Sequence, residues 1–218
     1  MQGSMQQGSG FLAIWSDLSP EDETDWSHWI TREHAAERLG VDGFLTCRIF
    51  RATGTLANRY FILYALRGAE VIGSDAYVAR LNAPTPWSQR IMPRLRNFVR
   101  GGGRVAASAG SGQGGVLAAL PLDAVPGAPE RIVADLAAMD RIVAAHILVT
   151  DEAQTSIQTR EKGMRKDDRS FAALLLVEGL AEAPVRDALW RLRSREPGDT
   201  EGSEQLSLYT IVFSLGAS

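Results

Sequence analysis

GFLTCRIFRATGTLANRYFILYALRG, residues 43–68, holds two runs of strand-forming residues around one turn. In the first run Phe44, Thr46, Arg48 and Phe50 alternate with Leu45, Cys47, Ile49 and Arg51. That is the two-residue period of an extended chain whose side chains point to opposite faces. TGTLAN (53–58) supplies a turn, and RYFILYALRG (59–68) is the most strand-like stretch of the chain, so the two runs make a hairpin. Both alternating sets are largely apolar, and each face of this hairpin therefore needs cover.

Working outward, FLAIWSDL (11–18) reads as a strand that enters a helix through the acidic SPEDETD, and DWSHWITREHAAERL (25–39) is that helix, closed by Gly40. On the other side, AEVIGSDAYVARLN (69–82) has helical spacing through Val71, Ile72, Tyr77 and Leu81. The prolines of APTPWSQRIMPRLRN (83–97) interrupt it before a last strand, FVRGGGRVAASAG (98–110). The order is βαββαβ.

GSGQGG (110–115) then reads as a flexible join, and the order starts again. VLAALPLDAV (116–125) is a strand. PERIVADLAAMDRI (129–142) is an amphipathic helix, with proline in its first turn. VAAHILVTDEA (143–153) and SFAALLLVEGL (170–180) are strands separated by a polar loop, QTSIQTREKGMRKDDR (154–169). AEAPVRDALWRLRS (181–194) is a helix, and EQLSLYTIVFSL (204–215) closes the chain as a strand. The expected fold class is α+β: two tandem ferredoxin-like βαββαβ units, residues 11–110 and 116–218 with a 111–115 linker. Their antiparallel sheets face each other as an intrachain α+β barrel, because the sheet face opposite the helices is apolar in both halves. MQGSMQQGSG (1–10) reads as a cloning remnant ahead of Met5, with a composition that predicts a mobile start.

Composition narrows the function. With 23 Lys+Arg against 26 Asp+Glu and a net charge of -3, the chain has no basic excess to neutralise nucleic-acid phosphates. No apolar run approaches the roughly 18 residues of a membrane span. The single cysteine, Cys47, excludes an intrachain disulfide and fits a reducing, cytoplasmic setting. No Ser-His-Asp elbow or Walker lysine is present, and GGGR and GSGQGG lack the strand-to-helix setting of a dinucleotide loop.

WITREHAAERLGVDGFLTCRIF (29–50) resembles the signature of EthD-like members of the dimeric α+β barrel superfamily, through Trp29, Glu33, His34, Glu37, Arg38, Gly43, Phe44 and Arg48. SDAYVARLNAPTPW (74–87) is similar to the second-helix region of related bacterial proteins. The resemblance covers about residues 11–100 and reaches the second half only through the order of elements. It implies a barrel of two facing sheets, here within one chain, and a cleft beside the sheet for small aromatic or polyketide-like molecules. Several family members work without metal or organic cofactor; others are not known to be enzymes.

At about 100° per residue, Trp26, Trp29, Ile30 and Ala36 share an apolar stripe, with Glu33 inside it and His34 at its edge. His28 points the opposite way, so the two histidines share no ligand, and no metal site is expected. His34 is suited to acid–base work near neutral pH; its bland alternative is a hydrogen bond to a backbone carbonyl at the sheet edge. Glu33 needs a partner, Arg38 or Arg48. Arg48 lies on the face of Phe44 and Phe50, where a guanidinium suits an anionic or enol oxygen, or else sits at the rim.

Trp29, Tyr60, Tyr64 and Trp87 are candidate substrate-binding residues, with packing as the alternative for each. His146, in an apolar strand, reads as a core residue, and Cys47 as inert packing. The expected function is binding of a small hydrophobic, aromatic or carbonyl-bearing molecule. A cofactor-independent reaction of isomerase, lyase or monooxygenase type would use His34 for proton transfer and Arg48 to stabilise an enolate-like oxygen. The alternatives are a non-catalytic ligand binder, a structural protein that oligomerises through its remaining sheet edges, in the simplest case as a homodimer, and a haem-binding barrel enzyme.

Overall fold

The computed structural model describes residues 8–54, 58–193 and 207–217. Eight strands run β1 (Gly10–Asp17), β2 (Phe44–Ala52), β3 (Arg59–Leu66), β4 (Arg96–Gly110), β5 (Val116–Leu122), β6 (Ile142–Thr150), β7 (Ala173–Gly179) and β8 (Leu208–Gly216). They close into one antiparallel barrel in the order β1-β3-β2-β8-β5-β7-β6-β4. Residues 43–68 do form a hairpin, with Ile49 opposite Ile62 and Phe50 opposite Phe61. The middle of TGTLAN, like residues 1–7 of the expected mobile start, lies outside the described residues.

The barrel closes because the two halves pair at both edges, β2 with β8 and β4 with β6. Among the described residues each strand has a hydrogen-bonded neighbour on both sides, and closure of this kind removes unpaired backbone groups that edge-to-edge contact uses. The apolar inner faces bury one another as their patterning requires: Trp15, Phe50 and Phe61 from the first half pack with Leu117, Leu176 and Tyr209 from the second. The Trp15 indole N–H donates to the Tyr209 hydroxyl at 3.1 Å.

The helices lie outside the barrel. The first is continuous from α1 (Glu23–Trp29) through a π-helical turn (Ile30–His34) into α2 (Ala35–Leu39). It is followed by α3 (Asp75–Asn82), α4 (Pro86–Ile91), α5 (Pro129–Ala137), α6 (Glu152–Thr155), α7 (Arg160–Gly163) and α8 (Glu182–Arg193). Two segments depart from the expectation. The proline-rich stretch contains α4, started by Thr85, whose hydroxyl accepts from Ser88 N, and by Pro86 in the first turn. The polar loop 154–169 contains α7 and follows α6, with the Asp151 and Thr159 side chains accepting from the Gln154 and Lys162 amides.

The start and the join are also tighter than expected. Ser9 N donates to Arg67 O at 3.1 Å, so the chain is fixed before residue 11. At the join, Ser111 N donates to Val143 O and Ile211 N to Gly115 O, both at 3.1 Å, while Gly114 N donates to Glu178 Oε2 at 2.9 Å. Gly114 serves close approach rather than flexibility. A Cβ on Gly114 would sit 2.5 Å from Gly179 O. Gly114→Ala is expected to lower the unfolding free energy by about 1–3 kcal/mol, read from urea unfolding; an unchanged midpoint would contradict a tight join.

Candidate active site

The π-helical turn decides where the site lies. One extra residue in the turn, marked by the Ala35 N–H bonding to Ile30 O, rotates everything after it by about a third of a turn. His34, Ala35 and Arg38 consequently face the sheet, while Ala36, expected on the apolar stripe, is exposed. A regular helix would have turned Glu33 inward instead. Glu33 is half-buried and accepts from the Thr85 hydroxyl at 2.6 Å, so its partner is neither Arg38 nor Arg48.

α4 holds this turn in place. The Trp29 indole N–H donates to the fully buried Ser88 hydroxyl at 3.1 Å, and the Trp29 ring lies 4.1 Å from that of His34, tilted by 36°. Behind them is the outer face of the first half-sheet, where Ile14 on β1, Ile62 and Tyr64 on β3, and Phe98 on β4 form a wall. The cover comes from the second half: Gln154 of α6 and Glu161, Lys162 and Arg165 of the segment around α7 close over the helix and the sheet. The enclosed cavity is narrow, about 50 Å³.

Its polar groups are unusual for an interior. Arg38, 2% exposed, donates through Nη2 to the buried Glu161 carboxylate across the halves. Its Nη1 and His34 Nδ1 make no hydrogen bond among the described residues, the Glu37 carboxylate standing off at 3.7 and 3.9 Å, and Gln154 Oε1 makes none either. The Tyr64 hydroxyl has no oxygen or nitrogen partner there and meets only the Cys47 thiol. Buried polar atoms without partners are costly and rare. Four of them on residues lining one cavity mark a place built to face something polar.

Burial holds the His34 imidazole well below its ordinary pKa, and the positive charges of Arg38 and Arg165 add to the effect, so the ring is neutral at physiological pH. Burial likewise pushes the Tyr64 hydroxyl well above its ordinary range, leaving it a donor. Burial raises the Cys47 thiol to about 12, which makes it inert packing, as its strand position suggested.

Arg48 is elsewhere. It projects into the barrel, on the opposite face of the sheet from His34, and forms a two-pronged pair with Glu178 across the interior at 2.9 and 2.8 Å. The expected pairing of His34 with Arg48 is therefore corrected: strand alternation sends Cys47 and Ile49 to the helix side and Arg48 and Phe50 inward. Of the other candidates, Trp29 and Tyr64 line the His34 cavity. Tyr60 instead lines a separate open groove with His28, its hydroxyl bonded to Glu23. Trp87 donates to Asp25 at 2.9 Å away from the cavity. His146 is inside the barrel, its Nδ1 2.6 Å from the Ser108 hydroxyl.

Arg38 entered the sequence reading only through the family signature and as an expected partner of Glu33, and Gln154 and Glu161 were not singled out. The cover had one readable signal, Asp151 followed three residues later by Gln154, a helix-entry pattern inside a stretch otherwise taken for loop. No group of three or more metal-ligating side chains occurs among the described residues, and no described helix is long and apolar enough to cross a membrane.

An α+β barrel with a buried polar site on the outside of one half-sheet is the class that this geometry defines. No family model matches the sequence, and no curated protein matches it. Solved structures do resemble it. An anthrone oxidase-like protein aligns at 12% identity with a TM-score of 0.57, over 97% of this chain and 94% of its own. A candidate monooxygenase from Fusobacterium nucleatum subsp. nucleatum aligns at 9% identity with a TM-score of 0.53, over 96% of this chain and 95% of its own. At these identities the likeness is one of fold.

Proposed function

We propose that this chain is a tandem ferredoxin-like barrel related to the EthD-like proteins, and that it acts without a cofactor on a small hydrophobic aromatic molecule bearing a carbonyl. The observation that carries the reading is the set of unpartnered buried atoms on His34, Arg38, Tyr64 and Gln154 around one apolar-walled cavity. The names of the two structural neighbours agree with such a substrate. Neutral His34 is the base: it takes a proton from a carbon beside the carbonyl. Arg38 Nη1 and the Tyr64 hydroxyl take the oxyanion role first expected of Arg48, donating to the enolate oxygen as charge develops there. With O2 as co-reactant, a ring methylene becomes a carbonyl by gaining one oxygen atom, and the second leaves as water with the two methylene hydrogens.

The cavity as it stands holds a few waters at most. An aromatic guest must displace the cover over it, so binding is expected to protect residues 152–165 from hydrogen exchange. The test of the reaction is anthrone with O2, followed as quinone formation and oxygen uptake. Saturable binding without conversion would make the protein a binder; a Soret band from the purified protein would make it a haem protein.

The pH dependence follows from the environment of His34. A base must be unprotonated, and burial lowers its pKa well below 6.5. Activity is therefore lost only as the pH falls through that lowered value, and kcat/KM is expected to stay flat from neutral pH down past 6.5. An acid limb centred at 6.5 or above would contradict a buried base.

A further inference from the structure

The charges around the cavity do not balance. Among its lining side chains the one carboxylate is that of Glu161, engaged by Arg38, and Glu37 just behind the lining also faces Arg38 at 3.7 Å. Arg165, a second lining cation, is satisfied by Asp168 at 2.8 Å and stacks on the Phe98 ring at 4.0 Å. That leaves Arg100 and Lys162, which line the same cavity and have no carboxylate partner among the described residues.

These two cations come from different halves, β4 and α7, yet converge on one spot. Arg100 Nη1 donates to Thr155 O at 3.2 Å, and Lys162 Nζ donates to the next carbonyl, Ser156 O, at 3.3 Å. Capping these carbonyls uses one donor of each, whereas a guanidinium carries five and an ammonium three. Two like charges on neighbouring carbonyls repel; the Arg100 contact is partly buried and the Lys162 contact is open to solvent. The two carbonyls close the last turn of α6, a position that favours one cation and is shared here by two.

We infer that Arg100 and Lys162 form an anion subsite for a carboxylate on the ligand, so that the molecule taken up is an aromatic acid rather than a neutral aromatic. Its ring system lies among the apolar side chains, and its carboxylate receives charge-assisted hydrogen bonds from both cations. The inference rests on the proposed use of the cavity as a ligand site. It adds a charge requirement that His34, Arg38 and Tyr64 do not impose.

The test compares 2-naphthoate with 2-naphthamide, matched in shape and differing in charge, by calorimetric titration of the whole protein and of the Arg100→Gln/Lys162→Gln variant. The acid is expected to bind the wild type about tenfold or more tightly than the amide. In the variant the acid loses its preference and the two affinities become equal. Near-equal affinities in the wild type, or an acid preference that survives in the variant, would overturn the anion subsite and leave the cavity reading intact. Failure of both probes to bind the wild type would overturn the cavity reading and the subsite together. Circular dichroism of the variant checks that it is folded; if it is not, Lys162→Gln alone is expected to reduce the acid preference at least threefold, and an unreduced preference there overturns the subsite.

Discussion

Arg48→Met is expected to cost about 3–5 kcal/mol of unfolding free energy and to leave ligand affinity at the outer cavity unchanged. The loss comes from Glu178, which is 1% exposed and would be left inside the barrel with, among the described residues, only the Gly114 N–H as a hydrogen-bond partner. Because the penalty belongs to the stranded carboxylate and not to the absence of an ion pair, the double variant Arg48→Met/Glu178→Leu is expected to recover most of it. Urea unfolding of the two single variants and the double variant measures this directly. A stable Arg48→Met protein with abolished turnover would return Arg48 to the reaction and contradict its place in the barrel.

His34→Gln is the second large effect, and it falls on the rate instead of on stability. Glutamine fills much of the same space beside Trp29 but cannot take up a proton. Conversion is expected to fall about 10²–10⁴-fold, while the dissociation constant for the aromatic ligand changes by no more than a few-fold. Turnover equal to wild type would remove His34 as the base, and a parallel collapse in binding would make it a packing residue. The two variants thus separate the two buried polar systems: one holds the halves together, and the other faces a ligand.

The fold was largely legible because its signals are local. The alternation from Thr46 to Arg51 identifies both faces of β2, whereas a bulge after Phe44 turns that ring to the helix side with Cys47 and Ile49, and the succession of apolar strands agrees with the closed antiparallel barrel. Edge pairing of β2 with β8 and of β4 with β6 was not legible, since backbone hydrogen bonding between distant strands leaves no residue pattern beyond strand propensity.

The site was legible in part, and the failures have one cause each. His34, Trp29 and Tyr64 were found because an imidazole beside a tryptophan and a tyrosine on the helix-facing strand side are compositional signals. Arg48 was misplaced because the face it shares with Phe50 looks into the barrel, while Phe44, expected on the same face, lies across a bulge on the helix side. Ala36 and Glu33 were misplaced because helical periodicity assumes a regular turn, and the π-turn between Ile30 and His34 breaks it. Glu161 reaches Arg38 from 123 residues away, a pairing that only the closed barrel creates.

The chain's three histidines report on three places: His34 on the cavity, His146 on the barrel interior and His28 on the open groove. Nitrogen-15 spectra of their imidazole rings, recorded while an aromatic ketone is titrated in, test the central claim most directly. A saturable shift of the His34 ring, neutral at pH 6.5, with His146 and His28 unmoved, is the predicted result. Movement at His146 or His28 with His34 silent would contradict it.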